Sequence, residues 1–238
     1  MAFDKNKAER IMVALDYAHA QQAEALVSSL AGIPCYMKVG MQLFYSAGPS
    51  FVQKLKDQGY HVFLDLKMHD IPNTVKGGAE SITRLGVDMF NVHAAGGRAM
   101  MEAALEGVDK GLQAGNRPAV IAVTQLTSTS LAVMNEEIGI AGTVEDAVLR
   151  YAKLARTAGL NGVVASPLEV VRIKETCGPD FMTVTPGIRP AGADIGDQSR
   201  VMTPAEAFAQ GTDFIVIGRP ITAAPDPRGA LEAILASV

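Results

Sequence analysis

The amino-acid sequence predicts an α/β fold that consists of a single (β/α)8 barrel, also called a TIM barrel. Along the 238 residues, eight short apolar segments alternate with eight amphipathic segments, and strands that alternate with helices form a parallel sheet covered by helices. No Gly-x-Gly-x-x-Gly motif follows the first strand, which disfavours a dinucleotide-binding sheet. No segment rich in proline or serine divides the chain, so residues 1–238 are expected to form one domain.

The predicted strands are short apolar runs, and the predicted helices have apolar residues at helical spacing. The strands are expected at residues 11–15, 35–39, 62–66, 89–93, 120–124, 162–165, 182–185 and 214–217. The helices are expected at residues 20–30, 51–58, 75–85, 99–112, 144–158, 167–175, 204–210 and 229–236. In such barrels the active site lies at the carboxyl ends of the strands, so the residues that follow each strand are the functional candidates.

The composition favours a globular protein that acts on small molecules. The net charge of −4 disfavours affinity for nucleic acids and for anionic membranes. No apolar run reaches the roughly 18 residues of a membrane span, so the protein is expected in the cytoplasm. Cys35 and Cys177 lack the spacing of a metal site, and no disulfide framework is expected.

Charged residues lie at the end of the third predicted strand, where Asp65, Lys67 and Asp70 come after the apolar residues 62–64. Side chains two residues apart on a strand share a face, so Asp65 and Lys67 are expected to point the same way. One alternative is a solvated ion pair at a strand end, which contributes little to stability. Because the preceding strand is predicted to be buried, charges that emerge from it favour a functional site.

Two more charged residues lie at the ends of neighbouring strands: Asp16 follows the first strand, and Lys38 lies on the second. Each is equally compatible with a lone charge that faces solvent. Together with the charges after the third strand, they place acids and amines at three consecutive strand ends. Nearby carboxylates favour the charged form of a lysine, so the sequence predicts a permanent ammonium group that faces a bound ligand.

The loops after the last two strands contain Arg189, and Gly218 with Arg219. In barrels these loops often bind phosphate through backbone N–H groups and arginine side chains. The alternative is a pair of ordinary turns with surface arginines, but the matching placement after both strands favours phosphate. The segment 187–200 is expected to be either a surface loop or a lid over the phosphate, and Gln198 would reach the ligand on closure.

Two weaker candidates lie after the fourth and fifth strands. Thr127 or Ser128 is expected to form hydrogen bonds to the ligand, although hydroxyl residues are also common in plain turns. His93 is expected to support the site rather than to act on the substrate. The four histidines lack metal-ligand spacing, so no metal site is predicted.

The segment from Asp65 to Thr74, Asp-Leu-Lys-Met-His-Asp-Ile-Pro-Asn-Thr, resembles the signature of the orotidine 5′-phosphate decarboxylase family. The resemblance continues in the same order over nearly the whole chain. It includes Val-Ala-Leu-Asp16, Lys38-Val-Gly, Thr-Gln-Leu-Thr127-Ser, Pro-Gly-Ile-Arg189, Gln198 and Gly218-Arg219-Pro. It implies a barrel homodimer that converts orotidine 5′-phosphate to UMP, the last step of de novo UMP synthesis, with neither a metal nor an organic cofactor.

The resemblance also implies a role for each candidate residue. Lys67 is expected to protonate C6 of the pyrimidine within a charge network that includes Lys38, Asp65 and Asp70. Asp70 and Thr74 are expected to reach the site of the neighbouring subunit. The expected substrate-binding residues are Asp16 and Lys38 at the ribose, Thr127 at the pyrimidine, Asp65, Ile71 and Thr74, and Arg189, Gln198, Gly218 and Arg219 at the phosphate.

Two other functions fit part of this pattern. A Mg²⁺-dependent sugar-phosphate decarboxylase or aldolase of the same superfamily shares the Asp-x-Lys-x-x-Asp motif. The Ile-Pro-Asn-Thr continuation and the Gln-Leu-Thr-Ser loop favour the nucleotide enzyme. A non-catalytic phosphate-binding barrel explains the two arginines, but it gives no purpose to a lysine between two acids.

Overall fold

The computed structural model describes residues 4–112, 115–190 and 201–238 of the chain. Parallel strands close into a barrel in which each strand pairs with the next and β8 pairs with β1, which confirms the predicted fold. The strands are β1 (Ile11–Ala14), β2 (Tyr36–Gly40), β3 (His61–Met68), β4 (Met89–His93), β5 (Ala119–Val123), β6 (Gly162–Val164), β7 (Met182–Thr185) and β8 (Phe214–Ile217). Only β3 differs from its predicted bounds by more than one residue, because it continues to Met68.

The α-helices surround the barrel, and a π-helical turn (Val133–Glu137) lies between β5 and β6. The α-helices in the described residues are α1 (Lys5–Ala8), α2 (Ala20–Ser29), α3 (Met41–Ala47), α4 (Pro49–Asp57), α5 (Pro72–Arg84), α6 (Arg98–Gly111), α7 (Val144–Thr157), α8 (Val170–Cys177), α9 (Pro204–Ala209), α10 (Arg219–Thr222) and α11 (Pro227–Ala236). Each predicted helix is present, although the one expected at 167–175 begins with a 3-10 turn, Pro167–Glu169. The sequence reading missed α1, α3 and α10, which are too short to show a helical period.

The strands have one apolar layer on each side. The inner layer, which fills the barrel, consists of Met12, Ala14, Phe63, Met89, Ile121, Val184 and Val216. The outer layer packs strands against helices and includes Val62 and Leu64. Because side chains alternate across a strand, Asp65 follows Phe63 on the inner side and lies at the carboxyl-terminal mouth of the barrel.

Both cysteines of the chain pack in the interior. Cys35 and Cys177 are buried free thiols. Burial raises the pKa of Cys35 to about 12, so this thiol packs as a small apolar group. Within the ranges that the structure describes, no helix is long and apolar enough to cross a membrane.

Candidate active site

A network of charges occupies the mouth of the barrel around the buried carboxylate of Asp65. Lys67 Nζ lies 2.6 Å from Asp65 Oδ1, and Lys38 Nζ lies 3.2 Å from Asp65 Oδ2. Lys38 Nζ also lies 3.2 Å from Oδ1 of Asp16. The predicted convergence of acids and amines from the first three strands is therefore confirmed for these four residues.

The meeting of Asp65 and Lys67 depends on a bulge in β3 rather than on regular alternation. Leu64 pairs with Phe90 in β4, but the next residue of β3 that pairs is Met68, which faces Val92. Lys67 has φ of 53°, the only positive φ among the described residues other than glycine. A left-handed backbone costs an L-residue on the order of 1 kcal/mol, so the contacts around Lys67 must hold it in place.

The amide of Asn91 in β4 provides two of these contacts. Its Oδ1 accepts a hydrogen bond from the backbone N–H of Lys67 at 2.8 Å, and its Nδ2 donates to Asp65 Oδ1 at 2.7 Å. Asn91 is only 1% exposed. The sequence analysis missed this residue, although a single amide inside the apolar strand Met89–His93 was a visible signal, since buried polar groups need partners.

The pKa shifts in the network follow from burial and neighbouring charge. Burial alone would raise the pKa of Asp65, but the ammonium groups of Lys38 and Lys67 and the hydrogen bond from Asn91 lower it below its ordinary value. Burial alone would lower the pKa of Lys38, but Asp65 and Asp16 raise it. The pair therefore stays ionised at neutral pH, as the sequence analysis expected for a lysine among carboxylates.

His93 lies near this network, beside a second histidine. Its ring centroid is 5.6 Å from that of His69. Burial, His69 and Lys67 together lower the pKa of His93, so its imidazole is neutral at neutral pH. His93 does not line the cavity described next.

A cavity of about 510 Å³ opens at this end of the barrel, a size suited to a small-molecule ligand. The predicted residues on its wall are Asp16, Lys38, Asp65, Lys67, Thr127, Ser128, Arg189, Gly218 and Arg219. The cavity is also lined by Gln125, Leu126, Pro186 and Gly187, which the sequence analysis quoted within motifs without giving them a role. They share a wall with the predicted residues because they adjoin them on the loops after β5 and β7.

The two arginines reach the cavity in different ways. Arg189 is buried, and its Nη1 donates to the carbonyl oxygen of Ile188 at 2.9 Å. The backbone N–H of Arg189 donates to the carbonyl oxygen of Met202 at 3.0 Å, which joins the two sides of the loop after β7. Arg219 is exposed at the start of α10. Both guanidinium groups therefore lie on loops after the last two strands, where the sequence placed them.

Three predicted residues lie apart from the cavity. Asp70, Ile71 and Thr74 are exposed around the start of α5 and do not line its wall. Asp70 Oδ1 accepts a hydrogen bond from the backbone N–H of Ile71 at 2.7 Å. Gln198 and residues 191–200 of the predicted lid lie outside the described residues.

The described residues of this region show no obvious set of metal ligands. Among residues 4–112, 115–190 and 201–238, no group of three or more His, Cys, Asp or Glu side chains is placed to hold an ion. The site instead offers two ammonium groups, two carboxylates and two guanidinium groups around one cavity. Such an arrangement suits an anionic substrate whose reaction develops negative charge.

Comparisons with known proteins agree on one family. The family model described as "Orotidine 5′-phosphate decarboxylase / HUMPS family" matches residues 9–234. An orotidine 5′-phosphate decarboxylase of Moorella thermoacetica is 55% identical over 232 residues, which cover 97% of this chain and 92% of that protein. The same enzyme of Bacillus cereus (strain B4264) is 52% identical over 227 residues, 95% of each chain. The crystal structure of orotidine 5′-phosphate decarboxylase from Lactobacillus acidophilus matches with a TM-score of 0.85 and 46% identity, and the match covers 94% of this chain and 96% of that one.

Proposed function

This chain belongs to the orotidine 5′-phosphate decarboxylase / HUMPS family, and on that premise we propose how its barrel mouth carries out the reaction. The enzyme is a carboxy-lyase that converts orotidine 5′-phosphate to UMP in pyrimidine biosynthesis. One observation carries the proposed mechanism: Lys67 Nζ lies 2.6 Å from the buried carboxylate of Asp65 on the wall of the cavity.

Lys67 is the proposed proton donor. When CO2 leaves C6 of the pyrimidine, the electron pair of the broken bond stays on C6, and no adjacent carbonyl group takes up this charge. An ammonium group beside C6 stabilises the developing carbanion and then transfers a proton to it, which forms UMP. Lys67 is left as a neutral amine that water reprotonates. Asp65 holds the Lys67 side chain in position throughout.

The residues beside Lys67 are proposed to bind the sugar and the base. Lys38 donates and Asp16 accepts hydrogen bonds, so this pair suits the hydroxyl groups of a ribose. The Asp16 side chain is 62% exposed, which leaves a carboxylate oxygen open to a ligand. The hydroxyl group of Thr127 lies on the cavity wall, where it suits the polar edge of the pyrimidine.

The phosphate is proposed to bind at the loops after β7 and β8. Arg189 and Arg219 supply positive charge there, and guanidinium groups match the oxygens of a phosphate. Gly218 has no side chain to shield its backbone, so the phosphate can approach closely. Gln198 is proposed to join this group. Binding energy from a phosphate far from C6 helps to organise the charges at the reacting carbon.

We further propose that two copies of the chain form a homodimer in the cytoplasm. Asp70, Ile71 and Thr74 are exposed and absent from the wall of their own cavity, which supports a role in a neighbouring site. In that arrangement Asp70 adds a second carboxylate near the Lys67 ammonium of the other subunit, and Thr74 and Ile71 contact its substrate.

The first experiment tests the proton donor and the absence of a metal requirement. Purified protein is mixed with orotidine 5′-phosphate, and the ultraviolet change from orotate to uracil is followed with and without EDTA. We expect full turnover in EDTA. Lys67→Ala should lower kcat by at least roughly 10³-fold, because both charge stabilisation and proton transfer are lost. UMP binding, measured by calorimetry, should largely persist.

A matched control is Lys54→Ala, which removes a half-exposed lysine that pairs with Glu24 far from the cavity. This variant should turn over like the unmodified enzyme. Wild-type decarboxylation by Lys67→Ala would refute the proposed mechanism. Turnover of orotidine 5′-phosphate that EDTA abolishes and Mg²⁺ restores would contradict the proposed metal-free mechanism, and a Mg²⁺-dependent turnover of a sugar phosphate in its place would favour the sugar-phosphate decarboxylase or aldolase.

A further inference from the structure

The bulge in β3 places the proposed proton donor on backbone that a lysine does not prefer. The three residues from Asp65 to Lys67 stand opposite the single residue Asn91 of β4. A bulge of this kind interrupts the ladder of backbone hydrogen bonds. The φ of 53° at Lys67 persists only if the surroundings hold it there, because an L-residue relaxes from this conformation when it is free to do so.

The side chain of Asn91 replaces the interrupted ladder. Lys67 N–H is a pure donor and the Asp65 carboxylate a pure acceptor, so only one orientation of the amide satisfies both. In that orientation Oδ1 accepts from Lys67 N–H at 2.8 Å and Nδ2 donates to Asp65 Oδ1 at 2.7 Å. One buried amide thus fixes the backbone of Lys67 and the carboxylate that holds its side chain.

Asn91 also determines which way the Asp65 carboxylate faces. Oδ1 receives both Asn91 Nδ2 and Lys67 Nζ, at 2.7 and 2.6 Å, which leaves Oδ2 toward Lys38 at 3.2 Å. No other side chain of similar size does the same. An aspartate in place of Asn91 would keep the acceptor but would place a carboxylate against Asp65. A leucine there would leave Lys67 N–H without a partner in the interior.

We propose that Asn91 is a positioning residue for the decarboxylation: it holds the β3 bulge and the Asp65 carboxylate so that Lys67 Nζ faces the reacting carbon. This inference rests on the proposed role of Lys67 as proton donor. Asn91 acts through Asp65 and Lys67 rather than on the substrate. Its loss therefore affects the chemical step far more than the binding of the phosphate, which lies at the loops after β7 and β8.

The test compares Asn91→Ala and Asn91→Asp with the unmodified enzyme in steady-state kinetics and in calorimetric titration with UMP. Displacement of a catalytic group by about 1 Å costs roughly 10²-fold in rate, so we expect kcat to fall by about that factor in both variants. KM and the Kd for UMP should change by less than about threefold, because the rest of the cavity is intact. Asn91→Asp keeps the size of the side chain and the acceptor for Lys67 N–H but removes the donor to Asp65, so it tests the same contact without opening a cavity.

Thr183→Val is the matched control. Thr183 is a fully buried residue of β7 whose hydroxyl donates to Asp213 Oδ2 at 3.0 Å, away from the cavity wall. The Thr183→Val substitution should lower Tm while leaving kcat unchanged. A kcat within twofold of wild type in a folded Asn91 variant, or a fall in kcat matched by the same loss of UMP binding, overturns the proposal. If Lys67→Ala is inactive while Asn91→Ala turns over normally, only the role of Asn91 fails; if Lys67→Ala is active, the proposed mechanism fails.

Discussion

At the scale of single residues, two carboxylates of this barrel each pair with a lysine but lie at opposite ends; Asp65 is buried and Asp88 is partly buried. Asp65 lies at the mouth with the charge network. Asp88 lies at the amino-terminal end, where it accepts hydrogen bonds from Lys56 Nζ at 2.6 Å and from the backbone N–H of Val62 at 2.7 Å. Residues at that end of a barrel serve stability, whereas those at the mouth serve chemistry.

Asp88→Asn should make the free energy of unfolding depend less on pH in the acidic range. Burial would raise the pKa of Asp88, but hydrogen bonds from Lys56, Val62 and His61 lower it below its ordinary value. The Asp88 carboxylate therefore binds a proton more readily in the unfolded chain than in the folded protein. The stabilisation by ionised Asp88 is complete above about pH 4 and is lost as the pH falls through the folded-state pKa. The free energy of unfolding of the variant should be about 2 kcal/mol lower than that of the wild type at pH 7. This difference should shrink as the pH falls toward 3.

Denaturant unfolding at several pH values measures this effect. Asp109→Asn is the control, because the Asp109 side chain is 63% exposed and pairs with Arg117 on the surface. Its loss should change stability little at any pH, since exposed ion pairs contribute little. A difference for Asp88→Asn that stays constant from pH 7 to pH 3 would contradict the assignment of the shift to this carboxylate.

At the scale of elements, the packing of α5 against α6 fixes the helix whose start bears Asp70 and Thr74. Two glycines four residues apart on α6 let the helices come close. A Cβ at Gly107 would lie 2.2 Å from the carbonyl oxygen of Lys76, and one at Gly111 would lie 2.5 Å from that of Glu80. No backbone shift short of separating the helices relieves such contacts, so this interface sets the direction of α5.

Gly107→Ala should destabilise the barrel, although alanine is the better helix former. Overpacking of a tight interface costs typically 1–3 kcal/mol, which outweighs the gain of about 1 kcal/mol in helix propensity. Gly77→Ala on the exposed side of α5 is the matched control, because a Cβ there meets nothing within 4 Å. Thermal unfolding should show a lower Tm for the first variant and an equal or higher Tm for the second. Equal effects would argue against the close approach of α5 and α6.

At the scale of the whole molecule, the chain leaves part of its proposed site exposed. Asp70 is only five residues from Asp65 in sequence, yet it lies outside the cavity that Asp65 and Lys67 line. The chain turns at Ile71 and Pro72 into α5, which carries Thr74 along the outside of the barrel. The proposed homodimer would account for this division, because a second copy would complete the site.

Subunit complementation tests this division. Lys67→Ala and Asp70→Ala homodimers should each be nearly inactive, because every site lacks one of the two residues. After the two are mixed and allowed to exchange subunits, half of the dimers combine both chains, and each of these has one intact site. Activity should therefore recover to about one quarter of the wild-type value. No recovery, despite exchange shown by mass spectrometry of tagged chains, would place Asp70 and Lys67 in the same site of one chain.

Much of the site was predictable because the relevant signals are local. The charges of Asp16, Lys38, Asp65 and Lys67 follow apolar runs, and in a parallel barrel all strand ends meet at one mouth. Asn91 was missed because nothing in its own strand shows that it faces the β3 bulge. The regular alternation assumed for β3 did not anticipate the left-handed backbone of Lys67, since a bulge depends on the neighbouring strand as much as on its own sequence.

The alternation of strands and helices, the closed barrel and the charged groups at its mouth could be predicted before folding is considered, because they follow from periodicity along the chain. The bulged pairing of β3 with β4, the amide that bridges Asp65 and Lys67, and the exclusion of Asp70 from the cavity of its own chain became visible only in the folded barrel. Those features arise where segments distant in sequence touch. Their contacts depend on register and backbone shape, which no local pattern records.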